Sequence, residues 1–259
     1  MSFENIIVEK ENNVGIIKIN RPKALNALNK QTICELIDAV KDFDSDKNIK
    51  IAILTGEGKA FIAGADIKEM KDMTPLQAKD FAFLGHKLMH SIESSTVPYI
   101  AAVNGFALGG GCELMMACDI CIASKNAVIG QPEINLGIHP GFGGTQRLPR
   151  RIGSMKAIEL LLTGRNLKAD EAFDLGLVNK IIDPETHMDD VKKLAESIAK
   201  KSSVQIGFIK ELVNKGMNVD LKSACDLEIS YFSSSFATHD QKEGMTAFIE
   251  KRKAGFKGE

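Results

Sequence analysis

Two carboxylates and a run of glycines are the residues of this chain best suited to chemistry. Glu113 follows Gly109-Gly110-Gly111 within two residues and leads into a short apolar segment, Leu114-Met115-Met116-Ala117. Glu133 sits in Gly130-Gln131-Pro132-Glu133, a turn that leaves a second apolar run. A glycine-rich turn into a helix exposes backbone N–H groups that can face a developing negative charge. Two carboxyls in apolar settings can be driven to different pKa values and so divide acid and base roles. Together these parts would stabilise an oxyanion and move protons. The bland alternative is that the glycines only turn the chain while the glutamates cap or face solvent.

Other reactive types carry less. Cys112 has no His or Lys beside it to lower its pKa, so it reads as a small buried thiol. Cys112, Cys118 and Cys121 fit no common zinc spacing, and no His lies close to them in sequence. No metal site is expected. His139 lies near the glutamates without a partner motif and reads as a loop residue. Arg147, Arg150 and Arg151 read as a solvated or subunit-facing rim. Among Met70, Met73, Phe81, Phe83 and Met89, which could line a pocket, core packing is the expected role for most.

The chain has 259 residues, enough for one large domain or one domain with an appendage. Lys plus Arg is 33 and Asp plus Glu is 34, which argues against a nucleic-acid or membrane-surface protein. With no Trp and two Tyr, platforms for stacking bases are scarce. No apolar stretch is long enough to span a membrane. The acidic start, MSFENIIVEKENN, has neither a basic region before an apolar core nor an Arg-rich pattern, so no export or transit signal is expected. Five Cys, an odd number, suit reduced thiols in the cytoplasm.

Several elements are legible. Ile6-Ile7-Val8 and Val14–Ile19 read as a hairpin around Glu11-Asn12-Asn13. A helix runs from about Asn29 to Asp44, with Ile33, Leu36, Ile37, Val40 and Phe43 on one face. Residues 49–55 are nearly continuous in apolar character and read as a buried strand. Ala63-Gly64-Ala65 suits close approach of a ligand to the backbone. Thr74-Pro75 starts a helix that reaches about Glu93. A strand at 98–103, a short helix at 110–118 and a strand at 119–123 follow. Helices are expected at 154–162, with Gly164 as its stop, and from 168. Residues 177–182 form a last strand. Beyond Asp183-Pro184 only helices are evident, near 186–200, 203–216, 220–236 and 239–254. Strands alternating with crossover helices give an α/β layered fold with partly parallel sheets.

Four stretches taken in order, Arg21–Leu28, Ala63–Ile67, Asn104–Leu114 and Gly130–Glu133 through Pro140–Leu148, resemble the crotonase (enoyl-CoA hydratase) family. The match continues to Ala247–Lys253 and so covers nearly the whole chain. Among members it looks most like the bacterial short-chain crotonases, the 3-hydroxybutyryl-CoA dehydratases. The resemblance implies a spiral of strand–strand–helix (ββα) units over 1–185 and a C-terminal all-helical region over 186–259 for subunit packing and CoA contact. It also implies a homotrimer or a hexamer built as a dimer of trimers.

The implied reaction is reversible syn hydration of a short-chain trans-2-enoyl-CoA, with no cofactor beyond the CoA that is part of the substrate. By the same resemblance the N–H groups of Ala65 and Gly110 hold the thioester oxygen. Glu113 is assigned to the attacking water and Glu133 to the α-carbon; the residue types alone leave that order open. Lys23, Ala24, Leu25, Ala63, Asp66, Ile67, Lys68 and Gly141 would contact CoA, as would Phe248 and Lys251 from the helical tail. Other readings are an enoyl-CoA isomerase, or a non-catalytic acyl-CoA or RNA-binding protein on the same fold. The presence of both glutamates favours the hydratase.

Overall fold

The computed structural model describes residues 3–259. It opens with the expected hairpin: β1 (Ile6–Glu11) pairs antiparallel with β2 (Val14–Ile19). Asn12 and Asn13 between them both take positive φ, the left-handed conformation that a two-residue hairpin turn needs and asparagine tolerates. Helix α1 (Lys30–Ser45) starts at Asn29, whose side chain accepts from the Thr32 N–H, and it buries Ile33, Leu36, Ile37, Val40 and Phe43.

Three turns of one pattern follow. β3 (Ile51–Gly56) leads to the short β4 (Ala60–Ile62), then to α2 (Ile67–Met70) and α3 (Pro75–Ser94). β5 (Tyr99–Val103) leads to β6 (Phe106–Leu108) and α4 (Gly110–Ala117). β7 (Ile120–Ser124) leads to β8 (Val128–Gly130), a 3-10 turn at Pro132–Leu136, α5 (Gly144–Ile152) and α6 (Ser154–Thr163). Each turn lays its first strand on a six-stranded sheet ordered β1-β2-β3-β5-β7-β10, which is parallel from β2 onward. Its second strand goes to a four-stranded sheet ordered β4-β6-β8-β9. This is the expected strand–strand–helix spiral. β9 (Asn166–Lys168), α7 (Ala169–Asp174) and β10 (Lys180–Ile182) close the two sheets.

The six-stranded sheet is covered on both faces, which is why its central strands are apolar throughout. Ile17, Leu54, Tyr99, Ala101 and Val103 join the main core with α1, α3 and α4. On the opposite face Ile16, Ile51, Ile53, Ile100 and Ile122 pack under Val191, Ala195 and Ala199 of α8 (His187–Ala199). Helices α9 (Ser203–Gly216), α10 (Leu221–Ser235) and α11 (His239–Ile249) complete the chain without a strand, as expected. Lys210 ties α9 to the body: its buried ammonium lies 2.9 Å from Asp119 and donates to the carbonyls of Ile92 and Val97.

Three expected boundaries shift. The last helix ends at Ile249 rather than near 254, because Lys251 turns to φ 55° and the Arg252 N–H bonds back to Ala247. Leu177 and Val178 are buried but not in a strand; Asn179 instead exchanges hydrogen bonds with the Cys121 backbone before β10 begins. Residues 144–152 form a helix where none was expected.

Candidate active site

Three neighbouring parallel strands of the smaller sheet end at one edge, and the candidate residues lie just past their ends. β4 runs into Ala63-Gly64-Ala65, β6 into Gly109-Gly110, and β8 into Gln131-Pro132-Glu133. The registers Ile62 to Ala107 and Leu108 to Gly130 keep those ends level. Crevices beyond the carboxyl ends of parallel strands are the usual place for a ligand in an α/β sheet.

The two amides come close together. A Cβ built on Gly110 lies 3.5 Å from the Ala65 nitrogen. The segment around Ala65 is pinned on either side: Leu28 donates to Gly64 and Asp66 donates to Leu28. Neither the Ala65 nor the Gly110 N–H donates to another group among the described residues. Gly110 is the first residue of α4, so its N–H has no partner within the helix and lies at the positive end of the helix dipole. Gly109 takes φ 49°, and a Cβ there would sit 2.7 Å from Oε1 of Glu133. Glycine at 109 therefore lets the turn bend and gives the carboxylate room.

The glutamates share a buried setting but differ in their partners. Glu113, on α4, is 1% exposed. Its Oε1 accepts from the N–H groups of Phe142 at 2.8 Å and Gly144 at 2.7 Å. Burial raises its pKa, while the two amides and the charge of Arg147 work against that rise. Glu133 is 9% exposed and receives no backbone amide from another residue. Burial, followed by its own backbone N–H acting in the opposite sense and by the charge of Glu113, leaves its carboxyl at about 7. With its amide nitrogen turned toward them, Gln131 donates to both Glu133 oxygens at 3.1 and 3.2 Å.

The expected CoA contacts fall into two groups. Lys23 and Ala24 form a 3-10 turn (Pro22–Ala24), after which Leu25 and Asn26 take positive φ. That turn is laced to the second stretch: Ala63 donates to Leu25, and Arg21 pairs with Asp66 at 3.0 Å. Asp66 caps α2 by accepting from the Lys68 N–H, and Leu25 and Ile67 remain exposed beside it. Lys23, Ala24, Leu25, Ala63, Asp66, Ile67 and Lys68 thus form one surface next to the free amides. Gly141 precedes Phe142, with nothing within 4 Å of where a Cβ would be. Phe248 and Lys251 lie elsewhere, at the end of α11, where Phe248 is 85% exposed.

Sequence reasoning missed Phe142 and Gly144, whose contribution is a backbone N–H and leaves no side-chain signature. It also read Arg147 as part of a solvated or subunit-facing rim, and the side chain is not solvated. Instead Arg147 is half-buried and makes a two-pronged bond to Glu93, at 2.6 and 2.8 Å. Cys112 is buried with its thiol pushed up to about 12, in line with an inert thiol. Phe81 and Met89 are core residues, whereas Phe83 is 65% exposed. Among the described residues no cluster of three or more His, Cys, Asp or Glu could hold a metal ion, and no helix is long and apolar enough to cross a membrane.

The profile of the enoyl-CoA hydratase/isomerase family matches residues 9–259. The chain belongs to that family. It is 52% identical to a crotonyl-CoA hydratase of Syntrophomonas wolfei over 257 residues, covering 99% of each chain. It is 50% identical to a short-chain-enoyl-CoA hydratase of Clostridium acetobutylicum over 259 residues, again covering 99% of each. Its fold matches the crystal structure of an enoyl-CoA hydratase from Bacillus anthracis with a TM-score of 0.96 at 39% identity, over 99% of this chain and all of that one. The spiral described above is therefore the crotonase fold of these enoyl-CoA hydratases.

Proposed function

We propose that this chain is a hydro-lyase that adds water reversibly, with syn geometry, across a short-chain trans-2-enoyl-CoA such as crotonyl-CoA. The observation that carries the reading is the convergence of two acceptor-free amides and two buried glutamates at one sheet edge. The thioester oxygen lies between the N–H groups of Ala65 and Gly110. As water attacks the β-carbon, negative charge moves onto that oxygen, and each preorganised donor lowers the barrier by about 3 kcal/mol. The carboxylate of Glu113, to which two backbone amides donate, takes the proton from the attacking water. Glu133, whose carboxyl burial leaves at about 7, gives its proton to the α-carbon. The pair starts and ends with one proton between them, so turnover needs no cofactor. Delivery of both groups from one side makes the addition syn.

The surface of Lys23, Ala24, Leu25, Ala63, Asp66, Ile67, Lys68 and Gly141 holds the CoA moiety, joined in the assembly by Phe248 and Lys251 from the helical tail of a neighbouring copy. Residues 186–259 serve subunit packing, with α8 anchoring that region to the core of residues 1–185, and the assembly is a trimer or a pair of trimers. Support comes from apolar side chains left outside, including Met155 and Leu162 on α6 and Ile229 and Phe232 on α10. None of the five cysteines is disulfide-bonded, which suits the cytoplasm.

The direct test is the loss of absorbance of the conjugated thioester when purified protein meets crotonyl-, hexenoyl- or decenoyl-CoA. The reading expects turnover to 3-hydroxyacyl-CoA, fastest with crotonyl-CoA. Binding without turnover of any of them would leave an acyl-CoA-binding protein, and conversion of a 3-enoyl-CoA alone would leave an isomerase.

A further inference from the structure

We propose that Arg147 and Glu93 act as a positioning clamp that aims the Glu113 carboxylate, through the loop Pro140–Gly144, rather than as a surface ion pair. The chain of contacts is continuous. Glu113 is held by two amides from one short loop, Phe142 and Gly144. The carbonyl of that same Phe142 accepts from a terminal nitrogen of Arg147 at 2.9 Å. The other two donors of the guanidinium fork grip both carboxylate oxygens of Glu93 near the end of α3. Arg147 thus holds Phe142 by its carbonyl, one peptide group along from the N–H that Glu113 holds. Between them Gly143 takes φ 107°, and a Cβ on it would lie 2.1 Å from the Arg147 nitrogen, so the guanidinium lies directly against the loop.

The loop is also held from the other side. The Phe142 ring meets Phe81 at 5.3 Å between centroids and rests on Gly85, where a Cβ would come within 2.1 Å of the ring. Glu93 is itself restrained, since Asn214 of α9 donates to its carbonyl at 3.2 Å. A planar two-pronged pair of this kind fixes direction as well as distance, which a lysine cannot reproduce. A base that must face one water molecule is sensitive to such aim, because a misplacement of about 1 Å lowers rate by about 100-fold.

The inference rests on the assignment of Glu113 to the reaction, and the test separates the two. In the full-length protein Arg147→Lys keeps the charge and loses the fork, while Glu93→Gln keeps the shape and weakens the grip. With crotonyl-CoA, Arg147→Lys is expected to lower kcat about 10- to 100-fold while KM stays within about twofold. Glu93→Gln should move kcat in the same direction by less, with CoA affinity and thermal midpoint near wild type. In a Glu113→Gln background, Arg147→Lys should lower kcat by less than about threefold further, because the group it aims is already gone. Strictly multiplicative losses in the double variant, or wild-type kcat in both clamp variants, would overturn the clamp alone. Wild-type turnover of Glu113→Gln would overturn the assignment of Glu113 and the clamp with it.

Discussion

Glu113 and Glu133 are the same residue type at similar burial, and what separates them is the kind of N–H group aimed at each. Glu113 has two backbone amides from a neighbouring loop; Glu133 has only the side-chain amide of Gln131 and is left with a carboxyl at about 7. The consequence reaches stability. A carboxyl whose native pKa is raised above its unfolded value near 4.5 favours folding below that value, and its contribution is lost as pH rises toward about 7. At pH 8 the native state holds a buried charge that the unfolded chain would solvate. Glu133→Gln removes that penalty. Measured by urea unfolding, the variant should gain on wild type by about 2–3 kcal/mol between pH 5 and pH 8. A difference between the two proteins that does not change with pH would show that Glu133 is not desolvated as described.

At the scale of elements, the site hangs from the small sheet, and that sheet was the part least legible in the sequence. Its strands β4, β6, β8 and β9 are three residues each, shorter than any window in which a period of two can be recognised. The larger sheet was legible because residues 51–54 and 99–103 are buried on both faces and apolar without a break. Helix α5 was hidden for a different reason: only Gly144 and Leu148 of its residues are buried, and Pro149 lies inside it. Caps, by contrast, were readable one residue at a time. Thr74 forms the capping box with Gln77 that its position before Pro75 suggests. The glutamates and glycines could be found from type and spacing, whereas the amides of Phe142 and Gly144 could not.

Two glycine substitutions probe this layer. A Cβ at Gly111 would lie 2.0 Å from the Ile62 carbonyl oxygen, so Gly111→Ala forces α4 off β4 and should destabilise by about 1–3 kcal/mol or more, seen as a lower thermal midpoint. Gly141→Ala meets open space and should leave the midpoint unchanged while raising KM for the CoA substrate. An equal drop in midpoint for both would mean that α4 is not packed this closely.

At the scale of the whole molecule, the inner and outer layers obey different rules. The sheets, α1, α4 and α8 bury most of their apolar side chains, whereas α6 and α9 to α11 carry many of theirs outward. Leu162 is 68% exposed, Ile209 61%, Phe232 66% and Phe248 85%, too many large apolar groups for an isolated chain in water. Light scattering at micromolar concentration should therefore give a mass of three or six chains. Phe232→Asp should shift that mass toward one chain. A wild-type monomer would leave these faces without a role and would remove the helical tail as a partner in CoA binding.

On the proposed mechanism, two glutamates with different hydrogen-bond partners share one proton across an enoyl thioester. The most direct measurement is crotonyl-CoA hydration by Glu113→Gln and Glu133→Gln, each with CoA affinity measured alongside. Both variants should bind CoA as wild type does and lose turnover by about 100-fold or more. Turnover within a fewfold of wild type in either variant would contradict the claim for that residue.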